Sequence, residues 1–342
     1  MGRKPTTNAN LPPHMRKRVQ RSGKAYYYLD TGEKPRREIA LGDDYIAALR
    51  KYAELHEIAK VAAPKFGDVI TKYEVEVLPT LATSTQATHK SDMKHLRAFF
   101  QGAPLDQIRP MHIREFIERH SAKPTTANRC KRLFSTLWNH ARGWGYTDAE
   151  NPCAGIMGHA LKKRHVYVTD EVFDAVRAAA SEPLRDALDF AYLTGQRPGD
   201  ALRARMDDIV DGALMVAQGK TGARLRIAVT GQLAELIARI QVRKAAHKTV
   251  HGQILMARDG KPMSKQILKD HFAAAKEAAA AARPELAGAI KEFWFYDLRA
   301  KAADDKSTEL GEQAASDLLG HDSVKTTRKH YLRRGKIVGP VK

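Results

Sequence analysis

Between Ala62-Ala63-Pro64 and Asn151-Pro152 the sequence carries one helical apolar stripe after another, and this bracketed block divides the rest of the chain. Phe66, Val69, Ile70, Tyr73 and Val77 recur at the spacing of one helix face. A second helix is expected from about Thr85 to Phe100, capped by Thr83-Ser84-Thr85. Pro110 opens a third, with Ile113, Phe116 and Ile117 inward, because proline at the first helical position gives up only a donor that has no partner there. Pro124-Thr125 opens a fourth, striped by Leu133, Leu137, Trp138, Ala141 and Trp144, and Gly143, Gly145 and Asn151-Pro152 end it. The aromatics are expected to be core. Arg129, Lys131, Arg132 and Arg142 on the fourth helix face either phosphates or solvent.

The flanks are patterned differently. Upstream, Arg3, Lys4, Arg16, Lys17, Arg18, Arg21 and Lys24 accumulate with few acids, and Pro5, Pro12 and Pro13 keep the start extended. Two strand-like runs, Ala25–Leu29 and Glu38–Leu41, meet through the turn signal Asp30-Thr31-Gly32. Gly42 ends the sheet, and Asp43 or Asp44 caps a helix with Ile46, Leu49 and Ala53 on one face. This reads as a small basic sheet-plus-helix module. The alternative is a solvated tail with a hairpin, but charge gathered on one module favours a sheet laid in a DNA groove.

Downstream, helices at Asp170–Ala180 and Pro183–Leu193 precede Thr194-Gly195-Gln196-Arg197-Pro198-Gly199-Asp200. Ala213–Ala217 and Leu225–Val229 read as a hairpin; Ala223, Leu225, Ile227 and Val229 alternate with Arg224 and Arg226, so one face is buried and the other basic. Its turn, Gln218-Gly219-Lys220-Thr221-Gly222, puts Lys220 at an exposed tip. Helices near Gln232–Ile240 and Ser264–Ala282 lead to Phe293-Trp294-Phe295-Tyr296-Asp297-Leu298-Arg299. The chain closes with Leu318-Leu319-Gly320-His321 and a short helix capped by Asp322 or Ser323, with Tyr331 in its last turn. Arg328, Lys329, His330, Arg333 and Arg334 surround Tyr331. It is either a core tyrosine on a basic helix or a nucleophile whose phenolate those cations favour.

Charge narrows the partners. The 342 residues hold 58 Lys+Arg against 39 Asp+Glu, a formal +19, which favours a polyanion, above all nucleic acid. Cys130 and Cys153 form neither a disulfide framework nor a metal cluster and suit a reducing compartment. No apolar run reaches spanning length, and the start lacks a signal-peptide core, so a soluble, intracellular protein with no membrane partner is expected. Met1-Gly2-Arg3-Lys4-Pro5-Thr6 matches a myristoylation pattern too short to outweigh chance.

Taken in order, Arg197, Lys220, Asp297-Leu298-Arg299, Leu-Gly-His321 and Tyr331 resemble the tyrosine recombinase (phage integrase) family, in its lambda-type organisation. Asp200, Leu202, Asp208-Ile209, Asn128-Arg129 and Asn151-Pro152 extend the resemblance. It implies a small β-sheet-plus-helix N-terminal DNA-binding domain (1–62, arm-type), an all-α core-binding domain (63–158) and a mainly α catalytic domain with a small antiparallel sheet (159–342). It implies a site-specific DNA recombinase that cleaves and rejoins DNA through a 3′-phosphotyrosyl intermediate, with no metal, cofactor or ATP. The expected partners are double-stranded DNA with core and arm-type attachment sites, three more copies in a tetramer, a host DNA-bending protein and an excision factor, in the cytoplasm of a bacterial host. Arg3, Lys4, Arg16, Lys17, Arg18, Arg129 and Arg132 are the expected DNA contacts.

The chemistry suits these residue types. Two guanidiniums, Arg197 and Arg299, fork onto phosphate oxygens and stay charged. An ammonium at a hairpin tip, Lys220, protonates the leaving 5′-oxygen. Asp200 either orients an arginine or is an ordinary helix-start cap. Two departures stand out. Tyr296 occupies the place where the family usually has histidine, so base duty shifts to His321 or water. The interval from His321 to Tyr331 is one residue longer than the usual one, which would land on His330. Asp304-Asp305, where relatives tend to be small or apolar, are expected on the solvated side of their helix. The alternatives are a resolvase or chromosome-dimer recombinase of the same family, or a non-catalytic DNA-binding regulator derived from an integrase.

Overall fold

The computed structural model describes residues 11–32, 35–58, 64–247, 251–335 and 339–341. The chain divides into two compact units, 1–162 and 163–342. Among the described residues no helix is long and apolar enough to cross a membrane.

In the first unit, strands β1 (Met15–Val19), β2 (Ala25–Asp30) and β3 (Glu38–Gly42) form an antiparallel sheet in sequence order, followed by α1 (Tyr45–Ile58). Asp44 is the residue that caps α1, its Oδ1 accepting the Ala47 N–H at 2.7 Å, while Asp43 pairs with Lys24. The sequence reading lacked β1, because Met-Arg-Lys-Arg-Val has one apolar residue at each end and reads as a charged tail. Pairing with β2 supplies what local propensity does not: Met15 lies opposite Leu29, and both are buried with Tyr27, Leu41 and Ala48. Strand alternation then separates three residues expected to act together. Arg16 and Arg18 lie opposite Tyr28 and Tyr26, whereas Lys17 lies opposite the buried Tyr27, on the other face.

The bracketed block is all-helical: α2 (Phe66–Glu76), α3 (Thr83–Phe100), α4 (Pro110–Arg119) and α5 (Pro124–Gly143). Thr83-Ser84-Thr85 do not cap α3; they lie inside its first turn, with Ala82 at the cap position. The stripe aromatics are core, except Trp144, which is partly buried against it. Phe66 stacks on Phe134 with ring centres 4.3 Å apart, and Phe100, Phe116 and Trp138 close round them. Each such side chain contributes roughly 1.5–3 kcal/mol by leaving water. Asn151 ends the block by donating to Ser135 O (3.1 Å) and Oγ (2.8 Å).

The second unit contains α6 (Asp170–Ala179), α7 (Glu182–Thr194), the single turn α8 (Pro198–Ala201), strands β4 (Ile209–Val210), β5 (Ala213–Ala217) and β6 (Arg224–Ala228), then α9 (Gly231–Ala246), α10 (Lys265–Ala282), α11 (Ala287–Glu292), α12 (Asp297–Leu319) and α13 (Val324–His330). The strands form an antiparallel sheet in sequence order. Ser264 caps α10 and Ser323, not Asp322, caps α13. One expectation for α12 is overturned. Asp304 is buried and accepts backbone N–H bonds from Arg333 and Arg334, and Asp305 accepts from Tyr192 and Lys301. Neighbouring helical residues point about 100° apart, so this pair could not be assigned to one face from its sequence alone.

Candidate active site

Two glycine turns build the site. α7 stops at Gly195 (φ 64°), where a β-carbon would press on Leu318 and Leu319 side-chain atoms at 3.2–3.3 Å. The turn brings Arg197 to the start of α8. α12 stops at Gly320 (φ 62°), packed against Leu225 and Gln218, and delivers His321. Both turns leave helix carbonyls without intrahelical partners.

Arg299, only 1% exposed, uses those carbonyls. Its guanidinium donates to Gly195 O at 2.7 Å and Leu319 O at 2.8 Å. Two helix C-termini carry partial negative charge, so a buried cation is held with no carboxylate on it among the described residues. Burial, with Arg197 nearby, lowers its pKa from the ordinary value, while Tyr331 opposes that shift. Its charge stays available to an incoming anion.

Arg197 donates to Gln218 Oε1 at 2.6 Å, and its nearest carboxylate oxygen, on Asp200, is 3.9 Å away. Asp200 is buried; it accepts from Gly219 N at 3.0 Å and from Arg203. It therefore ties α8 to the hairpin turn, and Lys220, the next residue in that turn, is exposed at the tip. Gln218 was missed by sequence reasoning, and it is the hub. Its Nε2 donates to Gln196 Oε1 and Leu319 O, both at 2.9 Å, while Oε1 also accepts from Thr221 at 3.0 Å. Leu319 O thus serves both Gln218 and Arg299. The available signal was strand alternation, which puts position 218 on the buried face with Leu214 and Val216.

His321 accepts at Nε2 from Arg299 (3.2 Å), since an arginine has only donors; Nδ1–H is therefore left to donate to Thr327 Oγ1 at 2.7 Å. Burial first, then the charges of Arg299 and Arg197, push its pKa down to about 4. The ring packs beside Tyr331, with centres 5.0 Å apart.

Tyr331, 7% exposed, sits on Ala300, Ala303 and Leu319, with the Arg299 guanidinium 5.2 Å from its ring centre. Its hydroxyl is 3.0 Å from that of Tyr296. The two phenols shift in opposite directions. Burial and the bond to Tyr331 push Tyr296 up to about 12. Burial would also raise Tyr331, but the Tyr296 hydrogen bond and the charges of Arg299 and Arg197 outweigh it, and its pKa falls. The neighbouring His330 is exposed.

The structure thus gathers Arg197, Tyr296, Arg299, His321 and Tyr331 in one place, with Asp200 supporting the turn that bears Lys220. Among the described residues no group of three or more His, Cys, Asp or Glu is placed to hold a metal ion. The expected DNA contacts are dispersed in the first unit. Arg16 pairs with Asp30 (2.9 Å), Arg18 with Glu38 (2.6 Å), and Lys17 and Arg132 are exposed. Arg129 forks onto buried Asp92 at 2.9 and 2.5 Å, which occupies the inner edge of its guanidinium. Arg3 and Lys4 lie outside the described residues.

A helical catalytic unit with a small antiparallel sheet, two arginines and a sheltered tyrosine defines a tyrosine-type recombinase. Residues 166–336 match the model of the phage integrase family, and the chain belongs to that family: it is a site-specific DNA recombinase. The chain is 27% identical to the integrase of Enterobacteria phage 434 over 259 residues, covering 74% of this chain and 71% of that one. It is 26% identical to the integrase of Escherichia phage lambda over 258 residues, with the same coverage. In fold it is similar to the lambda integrase tetramer bound to a Holliday junction, with a TM-score of 0.70 at 21% identity over 97% of this chain and 99% of that chain.

Proposed function

We propose that Tyr331 is the nucleophile of this recombinase and that Arg197, Arg299, His321, Lys220 and Tyr296 are its catalytic partners, acting on double-stranded DNA. The observation that carries this reading is the pair of hydroxyls on Tyr331 and Tyr296, 3.0 Å apart beside a buried arginine held by two helix carbonyls and His321 Nε2. A free phenol is about one part in a thousand ionised at neutral pH. Tyr296, the weaker acid of the two, donates its hydrogen bond to the Tyr331 oxygen and favours the phenolate there. The engagement of His321 Nε2 by Arg299 supports solvent as the acceptor of the Tyr331 proton.

The Tyr331 oxygen attacks phosphorus, the bond to the 5′-oxygen breaks, and Lys220 gives that oxygen its proton. Arg197 and Arg299 bear the charge of the five-coordinate phosphorus, where fixed donors count most. The 3′-phosphotyrosyl bond keeps the energy of the phosphodiester, so a 5′-hydroxyl from another strand reverses the step. Asp200 orients the turn that presents Lys220. Joining two duplexes requires four such sites, so the acting form is a tetramer; one solved relative is a tetramer on a Holliday junction.

The N-terminal module, 1–62, is proposed to bind arm-type DNA through the face carrying Arg16 and Arg18, and the helical block, 63–158, to bind core DNA. Integration of a phage or related element, with a host bending protein and an excision factor, is the biological role. Covalent trapping on a nicked attachment site tests the chemistry. The wild type should form an adduct and Tyr331→Phe none; an adduct from Tyr331→Phe would sink the assignment. A substrate with sulfur in place of the bridging 5′-oxygen needs no acid, so it should restore cleavage to Lys220→Ala.

A further inference from the structure

Two buried carboxylates on α12 take no part in the chemistry above, yet both are bound by the chain just after the nucleophile. Arg333, two residues beyond Tyr331, donates from NH1 to Asp297 Oδ1 and to Val166 O, each at 2.6 Å. Its own backbone N–H donates to both oxygens of Asp304, at 2.9 and 3.0 Å, and the N–H of Arg334 adds a third bond at 3.2 Å. Asp297 is held from its other side by Arg164, at 3.0 Å from Nε and 2.6 Å from NH2, and by the Trp294 N–H at 2.9 Å. The Arg164 guanidinium in turn lies over the Trp294 ring, 3.9 Å from its centre.

Asp297 and Asp304 are seven residues apart on one helix, so they lie on one face two turns apart. Tyr331 rests on Ala300 and Ala303 between them, and Arg299 leaves the same stretch. A seven-residue helix such as α13 does not hold its own orientation in water. Ties to α12 must supply it. Among the described residues, the Tyr331 hydroxyl meets one other side-chain hydroxyl, that of Tyr296 at 3.0 Å, and its ring packs on Ala300, Ala303 and Leu319.

We propose that Asp297 and Asp304 are positioning residues, which grip Arg333 and thereby set the distance between the Tyr331 oxygen and the phosphate held by Arg197 and Arg299. The proposal rests on the reading of Tyr331 as nucleophile. It gives Arg333 a role distinct from phosphate binding: its guanidinium is nearly buried and already committed to Asp297. A nucleophile displaced by about 1 Å loses on the order of 100-fold in rate, although every charged group stays in place.

Two reactions on the full-length protein separate placement from folding. The first is covalent adduct formation on a nicked duplex carrying the core sequence repeated at the ends of the element that encodes the chain. The second joins a 5′-hydroxyl end to a strand ending in 3′-(4-nitrophenyl) phosphate: the hydroxyl oxygen bonds to phosphorus, 4-nitrophenolate leaves, and Tyr331 is not used. Arg333→Gln and Asp304→Asn should each slow adduct formation about 100-fold and leave joining within about threefold. Arg333→Lys, which keeps a donor for Asp297, should recover much of the first reaction. Parallel loss of both reactions, or loss of neither, overturns the proposal. A wild-type protein that joins activated ends but forms no adduct refutes the nucleophile assignment itself, a failure visible without any Arg333 variant.

Discussion

The Tyr296 hydroxyl lies 3.0 Å from the Tyr331 hydroxyl, and the two phenols are shifted to opposite sides of an ordinary tyrosine. Tyr296 is 41% exposed and Tyr331 7% exposed, so the more buried phenol is the more acidic one. Burial alone predicts the reverse order. Hydrogen bonding and the adjacent arginines decide it.

Tyr296→Phe should therefore slow adduct formation by roughly 10–100-fold near neutral pH, the loss expected when a hydrogen bond to a charged oxygen, about 1.5–3 kcal/mol, is removed. The sign follows from the donor: without it the Tyr331 pKa rises and less phenolate exists at a given pH. The defect should shrink as pH climbs towards 10. Single-turnover rates across pH measure this, and a defect constant with pH would contradict it.

His321 should show no ionisation near neutrality. With its pKa at about 4, the imidazole is neutral from mildly acid pH upward. Its folded value lies below its unfolded one of about 6.5. The neutral ring's contribution to stability is therefore complete above that pH, and is lost as pH falls towards 4. Imidazole NMR titration reads the first statement. Denaturant midpoints at pH 7 and pH 4.5, wild type against His321→Gln, read the second: the acid-side loss should be smaller in the variant.

Arg197→Ala and Arg299→Ala should each cost on the order of 100–1000-fold in cleavage, the usual loss when a transition-state donor is removed. They should differ in stability. Arg299→Ala strips the side-chain donor from Gly195 O, about 1–3 kcal/mol for a group left buried without a partner, while Leu319 O keeps the bond from Gln218 Nε2. Arg197 gives up one side-chain bond to Gln218 and should cost less. Urea unfolding separates the two.

Gln218→Leu removes the link between Arg197 and the end of α12, while keeping a side chain of similar size. Unfolding free energy should fall by about 1–3 kcal/mol because Gln196 loses a partner inside the protein. Cleavage should fall further than stability explains, since Arg197 loses its fixed orientation. Equal cleavage rates at a temperature where both proteins are folded would show that the hub is only structural.

Gly320→Ala should destabilise by about 1–2 kcal/mol, because φ 62° is costly for an L-residue and a β-carbon would meet Leu225 at 3.1 Å and Gln218 at 3.2 Å. Gly288→Ala, in α11, has open space and should be neutral or slightly stabilising. Thermal melts of the two variants compare a forbidden turn with an ordinary helical site.

Periodicity and turn chemistry are local, and they were enough to place most of the helices, the hairpin bearing Lys220, and the glycine stops at 195 and 320. The order of Arg197, Lys220, Arg299, His321 and Tyr331 was enough to point to the family, because each carries a group whose chemistry is visible in its name. Pairing is not local. β1 acquires its strand character only beside β2, and Asp304 is buried only because the chain returns at Arg333. The acidity of Tyr331, the neutrality of His321, and the role of Gln218 as hub depend on which charges and carbonyls lie within a few ångströms. Those neighbours are up to about 130 residues away in the chain, as Arg197 is from Tyr331, and only packing brings them together.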